Sequence, residues 1–161
     1  MTTTARTRYF EAPDYYRPAP LDPPAVFLAG GITGCTDWQA GPAELLLAED
    51  LVVLNPRRAD FPIHDPAAAP EQIAWEHHHL HLQQVVTAFW FAAETVQPIA
   101  LLELGAALDN PGRRIAVGAH PHYPRRLDVV EQTRLARPGL PEVVSTLDGL
   151  AAAVIEAAGQ P

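Results

Sequence analysis

The sequence predicts an α/β fold, a single-domain doubly wound parallel sheet of about five strands with helices on both faces, and three observations lead there. Short apolar runs alternate with longer segments of helical period from residue 25 to residue 158, the order that builds parallel strands joined by crossover helices. The chain has 161 residues, 48% of them hydrophobic, enough for one sizeable core and no second domain. Its 17 prolines and 10 glycines fall between the periodic segments, so they punctuate a fold instead of forming a low-complexity tract.

Residues 1–24 read as an extended arm, because Pro13, Pro18, Pro20, Pro23 and Pro24 deny it regular structure, and residues 25–161 as the folded domain. Strands are predicted at 25–29, 51–54, 85–91, 115–117 and 143–144, each a short apolar run bounded by turn residues. Helices are predicted at 39–49, 70–83, 98–109 and 147–158, with a further one around 129–135. Pro98 suits the first helical position of its segment, with Gln97 or Thr95 close to the cap. Such an arrangement is Rossmann-like or flavodoxin-like. Its ligands sit beyond the carboxyl ends of the strands, here in the loops after Ala29, Leu54, Phe91 and Val117.

Composition narrows the partners. The 11 Lys and Arg against 19 Asp and Glu leave a formal charge of -8, which repels phosphate backbones and excludes a nucleic-acid polymer while admitting a single nucleotide. The lone Cys35 allows no internal disulfide, and the stretch from Met1 to Arg8 lacks the apolar core of a signal peptide. A cytoplasmic protein is expected on both counts. No apolar run approaches the roughly 18 residues of a membrane span.

Three constellations carry candidate chemistry. Gly30-Gly31-Ile32-Thr33-Gly34 follows an apolar strand and precedes a helix, where glycines permit positive backbone dihedrals and close approach of a sugar or phosphate. In the helix at 70–83, Ile73, Glu76, His77, Leu80 and Gln84 fall on one face by the i, i+3, i+4 rule, which turns Glu76 inward as a second carboxylate. The alternative is an exposed or salt-bridged Glu76, with the phase displaced by one residue. Glu103 stands between leucines about one and a half turns inside the helix at 98–109. A carboxylate there is costly to bury unless it is paired or used. The positive helix end is expected to keep it ionised, fit to attack an electrophilic carbon; the alternative is a structural ion pair with Arg57 or Arg58. His77, His78, His79 and His81 point around most of one helix, without the spacing of a zincin or a cysteine partner, so no metal and no cofactor is expected.

In their order along the chain, Val26-Phe27-Leu28-Ala29-Gly30-Gly31-Ile32-Thr33-Gly34, Asn55-Pro56-Arg57-Arg58, Gln72-Ile73-Ala74-Trp75-Glu76, Phe89-Trp90-Phe91, and Glu94-Thr95 followed by Leu102-Glu103-Leu104-Gly105 resemble the nucleoside 2-deoxyribosyltransferase superfamily, in particular its compact bacterial branch. The resemblance covers roughly residues 25–128. It implies that Glu103, in its Glu-Leu-Gly context, attacks the anomeric carbon of a nucleoside or nucleoside 5′-monophosphate. The resulting glycosyl ester is captured by another base or by water. It also implies that Glu76 assists the sugar or the departing base, and that residues 30–33 cradle the ribose. Trp90, Glu94, Thr95 and Gln97 are the remaining substrate-binding candidates. The sequence departs from the family pattern at Gln83-Gln84, where many relatives carry Ala-Asp, and at Gln97, where the better-known transferases carry an aspartate; Glu94 is the possible substitute. Because the family commonly completes its site from a neighbouring subunit, the resemblance implies a homodimer or higher homo-oligomer, with Asp128 as the contributed residue. The competing expectation is a nucleotide-binding sensor or scaffold that keeps the pocket without turnover.

Overall fold

Every residue of Val52–Asn55 and Val85–Phe91 is buried, and strands with no face left for water need a layer on each side. The computed structural model, which describes residues 7–159, supplies both. Its elements in chain order are β1(Tyr9–Glu11), β2(Ala25–Gly30), α1(Ala40–Ala48), β3(Val52–Asn55), α2(Ala68–Leu80), β4(Val85–Phe91), α3(Pro98–Leu108), β5(Arg114–Ala119), α4(Arg126–Ala136) and α5(Leu147–Ala158). All pairings in the sheet are parallel, in the order β1-β3-β2-β4-β5. The α/β doubly wound architecture is therefore as expected.

Alternate strand residues feed opposite layers. Phe27, Leu54, Phe89 and Phe91 pack with Trp75 of α2, Ala100 and Leu104 of α3 and Val129 of α4. Val26, Leu28, Val53, Ala88 and Trp90 face the other way, against Leu46 of α1 and Leu150 and Val154 of α5. Chain direction along the sheet reverses between β2 and β4, whose register ends at Gly30 opposite Trp90. The crevice beyond that pair is the switch point where such sheets bind ligands. Among the described residues no helix is long and apolar enough to cross a membrane.

Three expectations are corrected. The arm supplies the fifth strand: Tyr9 pairs with Val53 and Glu11 with Asn55, so the domain boundary expected at residue 25 does not hold for residues 9–11. The arm also lies on α2, with Ala12 and Tyr16 in the core, the Trp75 indole donating to the Asp14 carbonyl at 2.8 Å and the Tyr16 amide donating to His79 Nε2 at 3.0 Å. Residues 1–6 of the arm lie outside the described residues. Second, the strand expected at 143–144 is only a bridge from Val144 to Gly118, because Pro141 precedes it and Thr146 already caps α5 by accepting from the Gly149 amide at 3.0 Å.

The third correction concerns α2, whose buried residues are Ala68, Trp75, His79 and Leu80. The face drawn from the sequence is rotated: Ile73 is 65% exposed, His77 is exposed, and Gln84 lies past the helix end in an exposed turn with φ 63°. Trp75 and His79, one turn apart, hold the bulk of the inner stripe and displace Ile73 to solvent. Glu76 stays half-buried on the flank of that stripe.

Candidate active site

The loop after β2 is glycine-rich because its neighbours leave no room. A Cβ on Gly30 would strike the Trp90 carbonyl and lie 2.7 Å from the Trp38 ring, and one on Gly31 would lie 2.5 Å from Cys35 Sγ and 2.6 Å from Gln97 Cγ. Only Gly34 of this loop has a positive φ, 74°, so the conformational reason expected for residues 30 and 31 gives way to a packing reason. Arg57, from the turn after β3, braces the same loop from outside. Its guanidinium donates to the carbonyls of Ile32, Cys35 and Thr36 at 3.0–3.2 Å and to Gln39 Oε1 at 2.8 Å.

Gln97 braces it from inside. Its backbone is left-handed, φ 57°, just ahead of Pro98 at the first turn of α3. The side-chain oxygen accepts from the amides of Gly31 at 2.9 Å and Ala92 at 3.4 Å, and the nitrogen donates to the carbonyls of Ala92 at 2.7 Å and Thr95 at 3.0 Å. With two acceptances and two donations the amide is fully occupied. Gln97 therefore ties the β2 loop to the β4 loop, and its buried position leaves a ligand only its surface to touch.

Between these loops opens a cavity of about 370 Å³ lined by Phe27, residues 29–33, Pro56, Glu76, residues 95–100 and Glu103. That volume falls within the range of about 300–1,000 Å³ usual for small-molecule sites. Gly30, Gly31, Ile32, Thr33, Thr95, Gln97, Glu76 and Glu103 are thus brought together as candidates. Trp90, Glu94 and Asp128 are not. Trp90 points into the α1 and α5 layer, where its ring lies against Gly118. Glu94 is exposed and accepts from the Thr36 hydroxyl at 2.8 Å and amide at 3.2 Å, bonds that hold its carboxyl below the usual range. Asp128 sits on the first turn of α4, paired with Arg125 at 3.1 Å, and lines a separate groove between α3 and α4.

The lining of the cavity holds two acids and no cationic side chain. Neither arginine named as a partner for Glu103 reaches it: Arg57 holds the loop, and Arg58 pairs with Glu71 at 3.3 Å. Burial first and the charge of Glu76 second raise the Glu103 carboxyl, Arg113 opposes them, and together they bring it up to about 7. The helix end, expected to keep Glu103 ionised, does not hold its carboxyl in the usual range, because burial raises it. Glu76 is also raised, by burial, and a hydrogen bond from Gln72 works against that rise. Sequence reasoning missed Gln72 and Arg113 as electrostatic partners. The first was readable as an i, i+4 neighbour of Glu76 on one helix, whereas the second lies in the loop that follows α3, outside any helical spacing with Glu103.

The histidine run separates by exposure. His79 is buried, with Nδ1 2.7 Å from the Trp75 carbonyl, so the ring is a neutral core group that donates through Nδ1 and accepts through Nε2. His77, His78 and His81 are exposed. Among the described residues no group of three or more His, Cys, Asp or Glu is arranged to hold a metal ion.

A sequence model of the family described as nucleoside 2-deoxyribosyltransferase like matches residues 23–123, a span that contains the glycine loop, both cavity carboxylates and Gln97. No curated protein matches the chain.

Proposed function

The chain belongs to the nucleoside 2-deoxyribosyltransferase-like family, and from that premise we propose that it breaks the N-glycosidic bond of a nucleoside through a covalent ester on Glu103, passing the sugar to another base or to water. The observation that carries this reading is that Glu103 and Glu76 line one cavity at the switch point, with no cationic side chain among its lining residues. Residues 30–33 form the wall against which the sugar lies, and the apolar Val96 and Ile99 flank the base.

The chemistry follows from one proton held by the pair. Gln72 donates to Glu76 at 2.8 Å, whereas Glu103 has no hydrogen-bond partner among the described residues, so the proton rests on Glu103. Its transfer to Glu76, directly or through a bound hydroxyl, frees the Glu103 carboxylate to attack the anomeric carbon. As that C–O bond forms, the C–N bond breaks and its electron pair leaves with the base, which takes the proton from Glu76. In the second step water or an incoming base attacks the same carbon, its proton goes to Glu76, and the Glu103 carboxylate departs.

Incubation with a panel of nucleosides, with free bases resolved by chromatography, tests the proposal. Base release is expected, lowered about a thousandfold or more in Glu103→Ala. Undiminished release in that variant would overturn the mechanism. Saturable nucleoside binding with no base released would instead identify a binding module. The pH dependence is fixed in sign: above about 7 the shared proton is lost, so kcat/KM should fall about tenfold per pH unit. A homodimer in which Asp128 reaches a neighbour's cavity extends the proposal. Sedimentation of the whole chain, together with loss of activity in Asp128→Ala, checks it.

A further inference from the structure

Gln72 is held by more than its bond to Glu76. Its amide nitrogen donates to two acceptors, the Pro56 carbonyl at 2.7 Å and Glu76 Oε1 at 2.8 Å, while its own oxygen is buried without a partner. A buried orphan oxygen is unfavourable, and turning the amide over would be the ordinary remedy. Pro56 forbids it, because a carbonyl oxygen only accepts, and the turned amide would bring two oxygens to hydrogen-bond distance there. The Pro56 carbonyl is itself held in place. Asn55, beside it, accepts from the Arg57 amide at 3.0 Å and donates to the Tyr9 hydroxyl at 3.0 Å, and Pro56 is buried.

We propose that Gln72 is a positioning residue for Glu76: locked as a donor by the Pro56 carbonyl, it occupies Glu76 Oε1 and confines any proton on Glu76 to Oε2, the oxygen with no partner among the described residues. The inference rests on the proposed role of Glu76. Its consequence is directional. A carboxyl whose proton had two oxygens to choose from would hold it away from the departing base part of the time, whereas this one presents it from a single atom. The donated bond also favours the Glu76 carboxylate at rest, which keeps the resting proton on Glu103 and lets Glu76 accept it. The charged group facing Glu76 from another element is Glu103 on α3. From the β3 turn, Arg57 and Arg58 are engaged with the glycine loop and with Glu71, and from α2 itself His77 lies exposed.

Gln72→Met keeps the length and removes the donor, and Gln72→Asn keeps the donor but is too short to reach; both are compared with the wild-type chain. Side-chain carboxyl NMR of glutamate-labelled protein reads the titration of Glu76 whether or not the protein turns over. In both variants that titration is expected to move upward by about half a pH unit or more. The kcat of base release should fall about tenfold with KM little changed, and the acid limb of the pH profile should move up so that the bell narrows. In a Glu76→Gln background, Gln72→Met should leave the shape of the profile unchanged. An unmoved Glu76 titration in folded Gln72→Met or Gln72→Asn would overturn the assignment. A moved titration in a protein that releases no base would uphold the Gln72 bond and overturn the glycosidic reading instead.

Discussion

At the scale of single residues, the two acids of the cavity carry a cost to folding that depends on pH. Glu103 is held at about 7 against an ordinary glutamate value of 4.5, so between those pH values the unfolded chain gives up a proton that the native chain keeps. The stability tied to that proton is fully present below 4.5 and is lost as pH rises through about 7. Glu103→Gln removes the dependence. At pH 8 it is expected to be more stable than the parent by at most about 3 kcal/mol, at about 1.4 kcal/mol per pH unit, while releasing no base. Urea denaturation at pH 5 and pH 8 checks this, since a variant less stable at pH 8 would place Glu103 in a structural ion pair. Gln97 behaves in the opposite sense. Its amide makes four bonds to backbone groups of two loops, and Gln97→Ala leaves buried partners without them, an expected loss of about 2–3 kcal/mol. Thermal unfolding measures that loss, and the loosening of the β2 loop should raise KM in the same variant.

At the scale of elements, the contact between the N-terminal arm and α2 includes one neutral imidazole whose charge would disturb it. Burial lowers the pKa of His79, while the backbone bond to Trp75 acts the other way. Above the ordinary histidine value the folded and unfolded chains are both neutral here. As pH falls below that value, the unfolded chain takes a proton first and stability is lost until the folded imidazole titrates. Protonation would also set an N–H of His79 against the Tyr16 amide. His79→Leu is expected to flatten the acid side of the stability profile and, by leaving the Tyr16 amide unpaired, to lower stability at neutral pH by about 1–3 kcal/mol. Denaturation midpoints at pH 7.5 and 5.5 give both quantities. The elements also show what could be read beforehand. The helix at 147–158 and the strand at 85–91 emerge with the expected bounds, because a Thr146 cap and an unbroken apolar run are local signals. β1 has only three residues, one apolar stretch too short to register among prolines, and it exists because β3 offers an edge. The site was legible where a residue follows a strand's carboxyl end: residues 30–33, Thr95 and Glu103 all reach the cavity. Trp90 was misplaced for a physical reason. A strand buried on both faces has no polar alternation to tell odd residues from even, so only the packed layers reveal that Trp90 turns away from Phe89 and Phe91.

At the scale of the whole molecule, charge decides which form of the substrate the cavity admits. The chain carries a formal charge of -8, two carboxylates line the cavity and no Lys, Arg or His does. The guanidinium closest to the glycine loop, that of Arg57, is engaged by three carbonyls, Gln39 and Asp37. A 5′-phosphate would therefore meet like charge, with no cation in the cavity lining to pair it. An uncharged nucleoside meets neither penalty. Free nucleosides are accordingly expected to be turned over with a KM about tenfold or more below that of the matching 5′-monophosphates. Salt separates this cause from a steric one. Raising ionic strength screens repulsion between the protein field and the phosphate, so the monophosphate KM should fall with added salt while the nucleoside KM stays level. A monophosphate bound more tightly than its nucleoside, and weakened by salt, would mean that a cation does reach the cavity when substrate is present. Arg57 would then be the residue to replace, because releasing it from the Ile32, Cys35 and Thr36 carbonyls would free a guanidinium that now braces the glycine loop.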